Sequence, residues 1–153
     1  MQQQGRSRNR KRTESAVTVA KRIAESIAAQ PGVNTLLSSA GGSIMLSAKD
    51  NRIGVYSSRT GLQIFNAECA REGWVHIAMV HTAPPNSRLI LFLDGIRTAE
   101  LHNVDLPLPM QFIGSTTNSF VGRICDVRYW GSELAPLEVA SGMHQLLRLD
   151  EAL

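Results

Sequence analysis

The stretch "EGWVHIAMVHTAPPNSRLILFLDGIRTAEL", Glu72 to Leu101, decides the fold. Two apolar runs, "GWVHIAMVH" and "SRLILFLDG", flank a Pro-Asn-Ser turn, and Asp94-Gly95 then turns the chain into "IRTAELH". Short runs rich in Val, Ile, Leu and Phe, bounded by Pro, Asn, Ser and Gly, read as strands joined by tight turns. Upstream, "NTLLSS", "SIMLSA", "RIGVYSS" and "LQIFNA" are separated by Ala-Gly-Gly, Lys-Asp-Asn and Arg-Thr-Gly, which are hairpin signals. Downstream come a Pro-bounded "LPLPMQFIGS" and the run "SFVGRICDVRYWGS". This spacing predicts an all-β antiparallel sandwich or barrel. "APLEVASGMHQLLRL" closes the chain as a short C-terminal helix, with Pro136 at a first helical position and Gly142 as its weak point.

The N-terminal end is of another kind. Residues 1–15 hold Arg6, Arg8, Arg10, Lys11 and Arg12 and no apolar residue after Met1, so they are expected to form a disordered basic tail. The formal net charge of +3 is concentrated there. Those five cations can engage phosphates or an acidic protein surface, but without aromatic neighbours they cannot stack on bases. In "ESAVTVAKRIAESIAAQPG" two periods compete. Ala16, Val19, Ala20, Ile23 and Ile27 fall at helical spacing before the Pro31-Gly32 stop, while Val17, Val19 and Ile23 also share a strand face. Local periodicity leans to helix over residues 16–29 and leaves strand as the alternative.

A chain of 153 residues with 43% hydrophobic and 19% charged residues has the composition of one globular core. No run approaches the roughly 20 apolar residues of a membrane span. The basic start has no apolar segment behind it, so an intracellular, cytoplasmic protein is favoured. A nuclear destination, or a mitochondrial one read from the Arg-rich amphipathic start, is the alternative. Cys69 and Cys125 are expected to be reduced, with Cys125 an inert core thiol.

Residues that carry chemistry are sparse. Glycoside hydrolysis on a sheet needs two carboxylates facing one sugar. No strand here alternates carboxylates, so no enzyme and no catalytic residue are expected. Asp50-Asn51 reads as a hairpin turn rather than a metal site, and His81, His102 and His144 show no ligand spacing. Trp74 and His76, two apart on a strand, share a face, and His76 is expected to be a hydrogen-bonded shell histidine. Asp94 is expected to accept backbone hydrogen bonds in its turn, and Asp126 to pair with Arg123 or Arg128.

Taken in order, "EGWVHIAMVH", "SRLILFLDGIRTAEL", "MQFIGS" and "SFVGRICDVRYWGSELAPLEV" resemble the concanavalin A-like jelly roll in its laminin-G-like branch, over Glu72 to about Val139. The resemblance rests on a Trp-x-His-x-Ala strand, a strand ending in Asp-Gly, an Ile-Gly, and a Phe-x-Gly-x-Ile-x-Asp-Val-Arg strand. It makes Trp74, His76, Asp94, Gly95, Gly114, Gly122 and Asp126 fold-signature residues. Upstream, "AVTVAKRI" is similar to the family's Phe-Thr-Val-Glu-x-Trp-Val strand, which turns the expectation at Val17 to Ile23 from helix to strand. Ala16 and Ile23 stand where a phenylalanine and a tryptophan are usual.

The resemblance implies a tail over 1–15, a jelly roll over 16–135, and a helix with tail over 136–153. It also implies that an outer N-terminal strand is missing, which leaves an open sheet edge for a partner or a second copy. A non-catalytic binding or scaffolding module follows, with protein–protein interaction inside a larger intracellular assembly as the leading expectation. A carbohydrate-binding module and a ribonucleoprotein component using the basic arm are the alternatives. No cofactor is expected, although family resemblance brings calcium with it and no ligand residue can be assigned.

Overall fold

The computed structural model describes residues 15–23, 33–116 and 118–145. They form ten strands and one helix: β1 (Ser15–Ile23), β2 (Val33–Ser39), β3 (Gly42–Ser47), β4 (Arg52–Ser57), β5 (Gly61–Glu68), β6 (Gly73–His81), β7 (Arg88–Leu93), β8 (Ile96–His102), β9 (Phe112–Ile113), β10 (Gly122–Trp130) and α1 (Pro136–Gly142). Two five-stranded antiparallel sheets face each other. Sheet A runs β10-β1-β6-β7-β8 and sheet B runs β5-β4-β3-β2-β9. The all-β sandwich is thus present, with a shorter helix than "APLEVASGMHQLLRL" invites, ending at Gly142.

Residues 15–23 are a strand, and the helical period there loses to tertiary pairing. Every residue from Ser15 to Ile23 finds a partner on β6, from Ser15↔His81 to Ile23↔Gly73, and β10 pairs along the other side. Hydrogen bonds on both flanks outweigh a weak local preference. β1 therefore lies inside sheet A, and among the described residues this end of the sheet stops at β10.

The core between the sheets gathers Leu36, Leu37, Ile44, Leu46, Ile53, Val55, Phe65, Val75, Ile77, Met79, Leu89 and Leu91. Leu36 and Leu37 both bury although they are neighbours, because a bulge between Thr35 and Leu37 breaks the alternation of β2. A second cluster, Ala78, Val80, Ile90, Phe92 and Val139, lies on the outer face of sheet A. Val139 of α1 packs there, so β6 and β7 are apolar on both faces. Their unbroken apolar runs, rather than alternating ones, follow from this double cover.

The Trp-x-His and Asp-Gly elements of the opening stretch are joined by backbone chemistry. Asp94 sits at φ 49° and its Oδ1 accepts the His76 N–H at 2.9 Å, while the Asp94 N–H donates to the His76 carbonyl at 2.9 Å. Gly95, at φ 79°, is needed twice over: a Cβ there would lie 3.1 Å from both Ala140 Cα and Met143 Sδ. The tight turn is therefore also the seat of α1.

Candidate functional site

The two outer faces differ. That of sheet A is covered by α1 and the residues after it, fastened by Arg128. Its guanidinium is buried, donates to both Asp126 oxygens (2.8 and 2.5 Å), to the Gly142 carbonyl at 3.2 Å and to the Gln145 carbonyl. Asp126 takes φ 55° inside β10, where the register against β1 slips between Thr18 and Ala20. This is a bulge whose left-handed position is usually filled by glycine. The bulge also explains Cys125, which is exposed rather than a core thiol. Ile124 and Val127 both turn inward around Asp126, leaving Cys125 on the outside.

Beneath this cover His76 is buried, and neither ring nitrogen finds a hydrogen-bond partner among the described residues, contrary to the expected satisfied histidine. Burial pushes its pKa below the ordinary value; Asp94 and Asp126 oppose this, and His144 and Arg128 add to it. A base whose folded pKa is depressed keeps its full stabilising share above the unfolded value, about 6.5, and loses it as the pH falls. The urea midpoint is therefore expected to drop between pH 7.5 and 5.5, and to drop less in a His76→Gln variant. Equal slopes in the two proteins would remove His76 from this role.

The outer face of sheet B has no such cover among the described residues, and β-register assembles a row across all five strands. Leu62 of β5 pairs with Tyr56 of β4, Tyr56 with Ser43 of β3, Ser43 with Ser38 of β2, and Ser38 with Phe112 of β9. Directly paired residues point to one face. Tyr56 is 44%, Leu62 54% and Phe112 63% exposed, far from the core values of their neighbours Val55 and Phe65. A second row sets Met45 and Ile64 on either side of Gly54, whose missing side chain lets them approach: a Cβ there would meet Met45 Cγ at 3.4 Å and Ile64 Cγ1 at 3.5 Å. Tyr56 and Phe112 are three strand spacings apart, about 14 Å. Two aromatic side chains thus flank two serine hydroxyls. Ser38 Oγ donates to the Gly114 carbonyl at 2.6 Å, which leaves its lone pairs to accept.

Two open clefts lie at the turn end of the sandwich. One, of about 590 Å³, is lined by Ala40, Gly41, Ser57, Ser58, Arg59, Asp105, Pro107 and Leu108, with Arg59 paired to Asp105 at 2.8 Å. The other, of about 440 Å³, is lined by Asn86, Ser87, Arg88, His102 and Asn103.

The signature residues do not converge on one site. Trp74, His76, Asp94 and Gly95 lie about the covered face of sheet A, Gly122 opens β10, and Asp126 clamps Arg128. Gly114, at φ 78°, closes against Ser119 beside β9. Arg6, Arg8, Arg10, Lys11 and Arg12 lie outside the described residues. Among the described residues no group of three or more His, Cys, Asp or Glu is placed to hold a metal ion. No described helix is long and apolar enough to cross a membrane. Sequence reasoning missed the Leu62–Tyr56–Ser43–Ser38–Phe112 row, whose only local signal is Leu62 and Ile64 standing on the outward phase of β5.

Known proteins share this architecture. A protein from Bacteroides ovatus described as carbohydrate-binding superposes with a TM-score of 0.66 at 12% identity, over 88% of this chain and 42% of its own. The receptor-binding domain of a botulinum neurotoxin C/D mosaic serotype gives 0.64 at 11% identity, over 85% of this chain and 35% of its own. The heptameric SAP-like pentraxin of Limulus polyphemus gives 0.51 at 13% identity, over 89% of this chain and 77% of its own. The chain thus spans about two fifths of the Bacteroides protein. At these identities the likeness is one of fold. No curated protein matches in sequence. The Laminin_G_3 profile matches residues 9–140, nearly the whole sandwich and its helix, and by that match the chain belongs to the concanavalin A-like lectin/glucanases superfamily.

Proposed function

We propose that the chain is a non-catalytic carbohydrate-binding module that takes its ligand on the outer face of sheet B. The observation that carries this reading is the cross-strand row in which Tyr56 and Phe112 flank Ser43 and Ser38 on the uncovered face. A sugar ring offers an apolar face of C–H groups and a rim of hydroxyls; exposed aromatic side chains cover the first, and serine hydroxyls donate to or accept from the second. The row holds no carboxylate, whereas glycoside hydrolysis needs two. The Bacteroides structure of similar fold is described as carbohydrate-binding, which supports the class of ligand.

A second reading, a protein partner docking within a larger assembly, is favoured by the aliphatic side chains beside the row. Leu62 is 54% and Ile64 47% exposed on the same phase of β5, and an apolar outer face on a sheet that among the described residues ends at β5 is suited to pairing with another chain.

A glycan microarray probed with the full chain separates the two. Carbohydrate binding is expected, weakened about ten- to a hundredfold by Tyr56→Ala and by Phe112→Ala, as removal of an aromatic contact area implies. No glycan signal, together with a co-purifying protein released by a Leu62→Ser/Ile64→Ser double variant, would establish the protein partner instead.

A further inference from the structure

The second cleft carries an independent assignment. Its walls are the turn before β7 and the end of β8, held together by the Asn103 N–H donating to the Ser87 carbonyl at 2.8 Å. Arg88 and His102 are directly opposite one another in the β7–β8 ladder. Two basic side chains placed opposite are an unfavourable cross-strand choice. Here one carboxylate, Glu100, answers for both and for a third group: His102 Nε2 lies 2.9 Å from Glu100 Oε1, Arg97 hydrogen-bonds Oε2, and Arg88 Nη1 stands off at 3.7 Å. Burial would raise the Glu100 carboxyl, but the Arg97 hydrogen bond and the charges of Arg88, His102 and Arg97 hold it below the usual carboxylate range, so it is ionised.

The charges do not cancel. The two arginines, Arg88 and Arg97, contribute +2 against −1 from Glu100, so the group beside the cleft is net positive before His102 is counted. Arg88 is the least engaged by Glu100: its Nη1 contact is beyond hydrogen-bond distance and its side chain is 43% exposed, although its Nε is buried without a hydrogen-bond partner among the described residues. Asn86 and Asn103 are exposed and Ser87 half-buried. Asn86 uses its carbonyl to accept from Thr82 Oγ1 at 3.1 Å, and Asn103 its carbonyl to accept from Gln63 Nε2 at 3.5 Å. Both acceptors are backbone carbonyls, so neither bond uses a side-chain amide. Asn103 is held at φ 56°, a left-handed conformation that costs free energy and recurs at ligand sites.

A cleft with one uncompensated cation, two amides that each donate and accept, and a serine hydroxyl matches a sugar that carries a single carboxylate. We propose that the Asn86–Ser87–Arg88–His102–Asn103 cleft is a subsite for an acidic saccharide, with Arg88 pairing the carboxylate and Asn86, Ser87 and Asn103 bonding the hydroxyls. It lies on turns outside the Tyr56–Phe112 row, so it does not depend on the reading of that face.

The test is a calorimetric titration of the full chain with glucuronosyl-β-1,4-glucose and with its neutral counterpart, cellobiose, at low salt. The acidic disaccharide is expected to bind about ten- to a hundredfold more tightly, the contribution of one charge-assisted hydrogen-bonded pair. Arg88→Met, which keeps the aliphatic stem, should bring the acidic sugar down to the level of cellobiose. Glu100→Gln, which removes the competing internal carboxylate, should move affinity the opposite way. Asn103→Gly keeps the left-handed backbone and should weaken both sugars. Equal binding of the two disaccharides, indifference to Arg88→Met, or binding of acetate or inorganic phosphate as tight as the acidic disaccharide would overturn the assignment.

Discussion

Truncation of Phe65 to alanine is expected to lower the unfolding free energy by about 3–5 kcal/mol, the range for emptying a phenylalanine site in a core that only partly relaxes. Phe65 is fully buried, yet it belongs to β5, which among the described residues ends sheet B and has a ladder partner on one side only, β4. Its ring is therefore a principal tie between that terminal strand and the core formed with sheet A. Removing it loses both packing and the anchorage of β5. Phe65→Leu, which keeps most of the volume, should cost less than about 1.5 kcal/mol. On the same strand Leu62→Ser should change stability by no more than about 0.5 kcal/mol, because Leu62 is exposed. Urea denaturation of the three variants reads these differences directly. A Phe65→Ala protein within 1 kcal/mol of the parent would mean that β5 is not held by the core as described.

Asp126→Ala is expected to cost about 3 kcal/mol, from two sources that a second variant separates. Alanine at φ 55° is strained, and the buried Arg128 guanidinium loses its bidentate partner. The second loss is the larger, because a buried charge left with only the Gly142 and Gln145 carbonyls is poorly compensated. Asp126→Gly restores an unstrained left-handed position but not the pair, so it should be more stable than Asp126→Ala by about 1 kcal/mol. Equal midpoints would place the whole effect in the ion pair. The Arg128 hydrogen bonds hold the Asp126 carboxyl below the usual carboxylate range against an opposing effect of burial. Its stabilisation is thus present at neutral pH and is lost as the pH falls through that range. Asp126 is partly exposed, so salt should weaken the pair as well.

The strand pattern was legible because each strand is short and each turn has its own chemistry. "GWVHIAMVH" marks β6 from Gly73 to His81, residue for residue, and "IRTAELH" marks β8 from Ile96 to His102. The "LPLPMQFIGS" stretch was read less well: it contributes only Phe112 and Ile113 to a ladder, since Pro107 and Pro109 cannot donate to one. Residues 15–23 could not be assigned from their period, because Val and Ala spacing satisfies a helix and a strand alike. The family resemblance supplied the strand, and the pairing with β6 and β10 supplies its physical cause.

The candidate sites were far less legible. Ser38, Ser43, Tyr56, Leu62 and Phe112 share no local motif and meet only because five strands take one register; a slip of one residue would turn each to the other face. Arg88 and His102 likewise become neighbours through the β7–β8 ladder. Even Asp126, whose pairing with Arg128 was one of two options in the sequence, owes its conformation to a bulge set by β1.

By itself the sequence determined the class of fold, the succession of strands along the chain and the Asp94-Gly95 turn, since alternation, turn residues and Asp-Gly chemistry act between near neighbours. Only the tertiary structure decided which sheet face is covered by α1 and which lies open, where Cys125 points, and which side chains stand together as a surface, because those depend on pairings between distant segments that no local free energy encodes.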